Sequence, residues 1–361
     1  MKIYFYPHKY LRDRQLDTIR RWPASDVVNP EIVRLRSGVQ VSESYAKASK
    51  LGLSWMQKFP LINVKLRPDV APKDSVIYVW GAITATGKFI VDLDNPWSLT
   101  GYNLRAMSVY RFLLKHVLLS SRCLEIRCMS EACRLSLKAL FGNAVYEKAT
   151  VHYPCLPQAV TSIDAGHLSR FCRFLFVGTQ FEIKGGAALL KAFHQVYTAA
   201  PEATLDIITH LPDHYKQLAA DCPNIRVHPA QFTREEIHQQ FMCNADVLVL
   251  PTYVESYGMV ALEALAHGLA LITTDVYALR EMVEDDRNGC LLKPPLSIWN
   301  NHLPSRFYFD IQNIKKHIKD IDSSAFEKSL ADAMICMALD TDWRNSARKE
   351  SITLMESRFS C

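Results

Sequence analysis

The stretch VLVLPTYVESYGMVALEALAHG, residues 247–268, constrains this chain more than any other. Residues 247–250 form a short apolar run that reads as a buried strand, ended by Pro251 and Thr252. Glu255 and Ser256 precede a helical pattern. Ser256 can serve as its N-cap, and Gly268 stands where a helix C-terminus favours a left-handed residue. The expectation is strand, loop, helix, with one carboxylate in the loop and a second, Glu263, in the helix. Gly258 has no Cβ and lets a ligand approach the backbone. The N–H groups of Gly258, Met259 and Val260, with the helix dipole behind them, suit a phosphate. Glu263 lies among Ala261, Leu262, Ala264, Leu265 and Ala266, a poor setting for a solvated face. Carboxylates accept sugar hydroxyls, so N–H groups flanked by two carboxylates fit a nucleotide sugar. Glu263 would take ribose hydroxyls, and Glu255 those of the transferred sugar.

Upstream, residues 171–177 read as a strand, followed by GTQFEIKGG and a helix over 187–200. Strands and helices then alternate. Residues 205–209 and 225–228 are strands. Residues 213–220 and 233–243 are helices, the latter with Thr233 as cap and Glu236 at the capping-box position. Strand 269–273 and helix 277–283 follow, then a turn at Asn288-Gly289. Such alternation predicts parallel strands with helical crossovers in a doubly wound sheet, which binds ligands beyond its C-terminal strand edges. Thr179, Lys184 and Glu255 fall just after strands, as do residues 228–231, which suit a base pocket. Residues 296–320 read as irregular, and 326–339 and 343–359 as helical.

The spacing of Glu255 and Glu263, with seven residues between them, resembles the donor motif of the retaining glycosyltransferases of the GT-B fold, family 4. The resemblance includes the frame of strand, Pro-Thr, Glu-Ser-Tyr-Gly-Met, Glu-Ala-Leu-Ala, Gly, strand and Thr274-Asp275. Lys184-Gly185 is a second match. Family members carry Gly-Arg, four residues, then Lys-Gly, and the Arg and Lys clamp the donor diphosphate. Here Thr179 occupies the Arg position, so one positive charge is missing. The resemblance covers residues 125–295 well and 1–124 in outline. It implies an α/β GT-B fold of two Rossmann-like doubly wound domains facing a central cleft. Residues 1–160 would bind the acceptor and 161–340 the nucleotide sugar, with a helix in 341–361 able to cross back to the first domain. It further implies front-face transfer, in which the leaving phosphate oxygen helps deprotonate the acceptor hydroxyl, with no metal or other cofactor. Glu255 and Lys184 would be catalytic. Gly178, Thr179, Lys184, Glu255, Ser256, Tyr257, Gly258, Met259, Val260 and Glu263 would bind the donor, a UDP- or GDP-sugar. The alternatives are a phosphorylase or sugar-nucleotide hydrolase on the same fold, and a non-catalytic glycan- or nucleotide-binding protein.

The first part of the chain is less legible. Residues 3–6, 76–80, 89–93 and 125–128 are strand candidates. Ser130 caps a helix over 131–141 that ends at Gly142. Residues 7–12 follow the first strand where the family often has a glycine-rich acceptor loop, and they contain no glycine. The run from Asp92 through Leu93, Asp94 and Asn95 to Pro96 has three readings. One is an Asp/Asn-Pro turn. Another is an acceptor-side loop in which Asp94 or Asn95 meets a sugar. The third is a metal-holding Asp-x-Asp of the kind the GT-A fold uses. Residues 104–121 read as a helix with an apolar stripe of Ala106, Val109, Tyr110, Leu113, Leu114, Val117 and Leu118, flanked by Arg105, Arg111, Lys115 and His116.

Charge is uneven. Residues 1–150 hold 23 Lys and Arg against 12 Asp and Glu, a balance of +11, and the rest hold 19 against 25, or −6. An anionic membrane surface, a lipid-phosphate acceptor or another anionic acceptor would suit the basic part. It carries no nucleic-acid-binding motif. The ten cysteines include no Cys-x-x-Cys pair and read as reduced thiols. With no signal peptide and no run of about 20 apolar residues, the expectation is a cytoplasmic protein. Peripheral binding to the inner face of the membrane, near a glycan or lipid-linked acceptor, is an option.

Overall fold

The computed structural model of the protein describes residues 1–6, 11–29, 59–162, 171–300, 302–305 and 310–359. They divide into two compact units. One is Met1–Cys155 with Asn301–Phe309, and the other Leu156–Asn300 with Asp310–Cys361. Residues 7–10 of the glycine-free segment 7–12, and residues 163–170, lie outside the described residues.

The first unit is built on a five-stranded parallel sheet. Its strands β1 (Ile3–Tyr6), β2 (Val76–Trp80), β3 (Phe89–Leu93), β4 (Cys123–Cys128) and β5 (Ala149–Val151) lie side by side in chain order. β2 and β3 are buried at every position, as strands covered on both faces must be. Phe5 packs on Tyr78 at 5.0 Å and Trp80 at 5.9 Å between ring centroids. Among the described residues its helices are α1 (Asp13–Arg20), α2 (Leu104–Leu119), α3 (Glu131–Phe141) and α4 (Asn143–Lys148). α3 has its expected bounds. The Ser130 Oγ accepts from the Cys133 N–H at 3.0 Å, and Gly142 ends the helix with φ at +86°.

α2 buries only part of the expected stripe, turned toward Met107. Ala106, Met107, Leu114 and Leu118 are buried, whereas Val109 and Leu113 face solvent beside Phe112. Apolar residues run almost all round this helix, so periodicity alone does not select the packed side.

In the second unit β6 (Arg173–Val177), β7 (Thr204–Thr209), β8 (Ile225–Pro229), β9 (Val247–Leu250), β10 (Ala270–Thr274) and β11 (Gly289–Leu292) form a parallel sheet. Its spatial order is β8-β7-β6-β9-β10-β11. The order reverses between β6 and β9, the switch point of a doubly wound sheet. The helices are α5 (Gly186–Ala199), α6 (Lys216–Ala220), α7 (Arg234–Gln240), α8 (Met259–Ala266), α9 (Ile311–Asp320), α10 (Ser324–Leu339) and α11 (Thr341–Leu354). The core draws on Phe174, Phe176, Phe193, Val247, Val249 and Ile272, with Leu330 and Met334 of α10.

α9 lies in the stretch read as irregular. Its Ile311, Ile314 and Ile318 recur at helical spacing, a periodicity that the irregular reading overlooks, and Ile314 is buried. α11 belongs to the second unit. Arg344, fully buried, donates to the Met337 carbonyl at 2.7 Å. Arg348 donates to the Gly268 carbonyl at 3.0 Å and pairs with Asp246 at 3.0 Å. Both groups of that ion pair are nearly solvent-free, so removing one partner would strand the other's charge.

Among the described residues eight cysteines are free thiols, most of them buried. Cys155 departs from the reading of reduced thiols, because its sulfur is in a disulfide. No helix among the described residues is long and apolar enough to cross a membrane.

Candidate active site

Two loops leave the sheet at its switch point, one after β6 and one after β9, and backbone geometry ties them together. The Tyr253 N–H donates to the Ile183 carbonyl at 2.9 Å, and the Thr252 hydroxyl reaches the same carbonyl at 3.3 Å. The Thr274 hydroxyl, from the end of β10, holds the Thr252 carbonyl at 2.5 Å. Gly185 makes this approach possible. It adopts φ +79°, and a Cβ there would stand 2.0 Å from the Pro251 carbonyl oxygen. Gly186 is required as well, since a Cβ would enter the Phe181 ring at 2.2 Å.

The outcome is a direct pair of side chains. The Lys184 ammonium donates to Glu255 Oε2 at 2.6 Å and to the Val254 carbonyl at 3.2 Å. The other oxygen of Glu255 accepts from the Ser256 N–H at 3.1 Å. Both side chains stay about one-fifth exposed, at 20% and 17%, so a ligand can reach them. Gly178 lies against the stem of Lys184, where a Cβ would meet Cγ at 3.1 Å. Thr179 is exposed.

Ser256 is not the N-cap of α8. The cap is Gly258, at φ +93°, and it makes no side-chain bond. The Glu255 carboxylate already engages the Ser256 N–H, and the chain must turn through the left-handed region before the helix can start. A Cβ on Gly258 would sit 2.4 Å from Leu279 Cδ2. The N–H groups of Met259 and Val260 belong to the first turn of α8, where no helical carbonyl precedes them. Tyr257 is buried. Gly268 ends the helix as expected, at φ +65°. Its N–H donates to the Leu265 carbonyl at 2.9 Å, and that of Leu269 to the Ala264 carbonyl at 3.0 Å.

Glu263 has partners that no local pattern reveals. Arg234, at the start of α7, places Nε 2.8 Å from Oε1, and His238 Nε2 lies 3.6 Å from Oε2. The capping box that positions α7 is the expected one, with Thr233 N–H donating to Glu236 at 2.7 Å and Thr233 Oγ1 accepting from the Glu236 N–H at 3.2 Å. His267 Nδ1 lies 2.7 Å from the Glu263 carbonyl, and burial lowers its pKa.

In the first unit, Asp92 accepts from the Tyr78 hydroxyl at 2.7 Å and from Arg14 at 3.2 Å. Asp94 accepts from the Asn95 N–H at 2.9 Å and the Tyr102 hydroxyl at 3.4 Å. Burial raises the Asp94 pKa, and the charge of Asp94 in turn raises that of Tyr102. Asn95 is fully buried, and its side chain accepts from the Trp97 N–H at 3.1 Å as cap of a short 3-10 helix, Pro96–Thr100. It therefore serves the turn. Among the described residues no group of three or more His, Cys, Asp or Glu is placed to hold a metal ion.

Residues 172–298 match the family model Glycosyl transferases group 1. A D-inositol 3-phosphate glycosyltransferase of Arthrobacter sp. (strain FB24) is 32% identical over 126 residues, which is 33% of this chain and 30% of the relative. The first curated relatives are matched over 24% to 39% of their own length. Among solved structures, Anabaena HepE in complex with UDP and glucose superposes with a TM-score of 0.60 at 12% identity, covering 100% of this chain and 96% of HepE. S. aureus TarM, solved with UDP, fondaparinux and α-GlcNAc-glycerol, gives a TM-score of 0.54 at 13% identity over 86% of this chain and 56% of TarM. The fold is therefore GT-B, and the glycosyl transferases group 1 match spans the two loops that carry Lys184 and Glu255 and the helix that carries Glu263.

Proposed function

We propose that this chain is a retaining glycosyltransferase that moves a hexose from a nucleoside diphosphate sugar to a glycan or lipid-linked acceptor without a metal. The observation that carries the reading is the meeting of Lys184 and Glu255 at the switch point of the second sheet, beside the N-terminus of α8. Lys184 and the first N–H groups of that helix supply positive potential for a diphosphate, the role a divalent cation fills elsewhere. Glu255 orients the transferred sugar, and Glu263 takes the ribose. No side chain serves as nucleophile. The departing phosphate oxygen accepts the acceptor's proton on the face from which it leaves. UDP is the favoured carrier, since HepE and TarM were both solved with it, with GDP as the alternative.

The proposal extends to a membrane surface. The outer face of α2 carries Val109, Phe112 and Leu113 exposed, together with Arg105, Arg111, Lys115 and His116 and no acidic residue. That combination suits an anionic bilayer, to which each Lys or Arg contributes about 1 kcal/mol. A soluble anionic acceptor is the second reading, favoured by the basic first half and by the phosphorylated substrate in the name of the Arthrobacter relative.

The deciding assay incubates the protein with UDP- or GDP-hexoses, a panel of acceptors and EDTA, and reads the anomeric configuration of the product by NMR. Transfer with retention in EDTA is expected. Inversion, or a complete loss restored by metal, contradicts the reading. Release of free sugar or sugar phosphate without transfer would point to the hydrolase or phosphorylase alternative.

A further inference from the structure

The Glu263 carboxylate is held on two sides by α7. Arg234 and His238 lie one helical turn apart and therefore on the same face of that helix. They meet opposite oxygens of one carboxylate, at 2.8 Å and 3.6 Å. All three side chains are largely buried, at 15%, 23% and 14% exposure, so the cluster is not a passing surface contact. The anchoring continues beneath it. His267, just beyond the end of α8, lies 2.7 Å from the Glu263 carbonyl through Nδ1, and its ring stands 4.6 Å from that of His238.

We infer that Arg234, supported by His238, is a positioning residue that presets the Glu263 carboxylate to accept the donor's ribose hydroxyls. The inference rests on the proposed role of Glu263. A carboxylate has about four acceptor sites on its two oxygens. The Arg234 guanidinium, with Nε 2.8 Å from Oε1, balances the charge as an ion pair and leaves acceptor sites for a vicinal diol. A glutamate side chain without that partner would sample several rotamers and lose this freedom only when the nucleotide arrives. The guanidinium fixes one rotamer in advance and offsets the cost of keeping the charge out of water. Arg234 acts through Glu263 and need not touch the nucleotide.

The test is titration calorimetry of UDP and 2′,3′-dideoxy-UDP against the wild type, Arg234→Ala, Arg234→Lys and Glu263→Ala. In the wild type UDP should bind more tightly than the dideoxy analogue. Arg234→Ala should weaken UDP roughly tenfold, the scale of one immobilised side chain, while affinity for the analogue stays unchanged, so that discrimination shrinks. Arg234→Lys should recover part of it. A merely structural role would weaken both nucleotides together. If Glu263→Ala abolishes discrimination while Arg234→Ala retains the wild-type ratio, the inference fails and the donor reading stands. If Glu263→Ala also retains the ratio, the ribose role of Glu263 fails and takes the inference with it.

Discussion

Lys184 and Glu255 are 71 residues apart in the chain and 2.6 Å apart in the fold, each at the end of a strand on one side of the switch point. As an ion pair they neutralise each other. A bound diphosphate would compete with Glu255 for the lysine, and the freed carboxylate oxygen would be released toward sugar hydroxyls. On the proposed reading, this exchange would account for one cation and one anion in contact where a ligand carrying both phosphates and hydroxyls binds.

Glu255→Ala should lower turnover by about 100-fold or more, in the range found when one transition-state-stabilising group is removed, while the protein remains folded. The loop geometry does not depend on the carboxylate, because Tyr253 and Thr252 hold the loop through the Ile183 carbonyl. Steady-state kinetics beside circular dichroism checks this. A folded variant with near-wild-type turnover would remove Glu255 from the mechanism.

Gly185→Ala should destabilise the second unit by about 2 kcal/mol or more, from a left-handed backbone and a steric clash together. The clash is with the Pro251 carbonyl, so relief must separate the two loops and pull Lys184 away from Glu255. Urea denaturation together with nucleotide titration should show lower stability and weaker binding in the same variant.

The outer face of α2 should bring the protein to anionic vesicles. Phe112, 73% exposed, is the largest apolar group on that face. Phe112→Asp should reduce co-sedimentation with anionic vesicles without unfolding the protein, and 1 M salt should weaken binding as the Debye length shrinks to about 3 Å. If the wild type fails to bind such vesicles at low salt, the soluble-acceptor reading is favoured.

Glu125 in β4 should contribute to acid sensitivity. Burial pushes its pKa up, but His152 at 2.8 Å and Arg127 at 3.0 Å outweigh burial and lower it from 4.5 to about 2. A folded-state pKa below the unfolded value stabilises the protein above about pH 4.5, and that contribution is lost as pH falls toward about 2. Glu125→Gln should therefore be less stable than the wild type at pH 7, with the difference closing across that window in urea titrations at stepped pH.

What was legible in the sequence was mostly local. The β9 strand, the Ser130 and Thr233 caps and the left-handed Gly268 were all found from residues within a few positions of each other. The start of α8 was misplaced because Ser256 is a good capping residue. The helix starts instead after a left-handed Gly258, where Leu279 leaves no room for a Cβ, a long-range fit that no local pattern reveals. The packed face of α2 is legible only in part: Ala106, Leu114 and Leu118 of the expected stripe are buried, while tertiary contacts take in Met107 and leave out Val109 and Leu113. Lys184 and Glu255 were identified by family resemblance, and their contact is a product of the sheet order. Arg234 lies 29 residues before Glu263, with a strand between them, and nothing in its neighbourhood marks it as a partner.

The most direct measurement is the ligand-induced change in melting temperature of the wild type and Lys184→Ala with UDP, GDP, TDP and ADP in EDTA. At a ligand concentration 100 times its Kd, binding stabilises by about 2.7 kcal/mol. For a unit of this size that corresponds to a rise of roughly 5–10 °C. The account predicts such a rise for one of these nucleotides with the wild type and little or none with Lys184→Ala. An equal rise in both proteins, or no rise with any nucleoside diphosphate, would contradict a donor site built on Lys184 and Glu255.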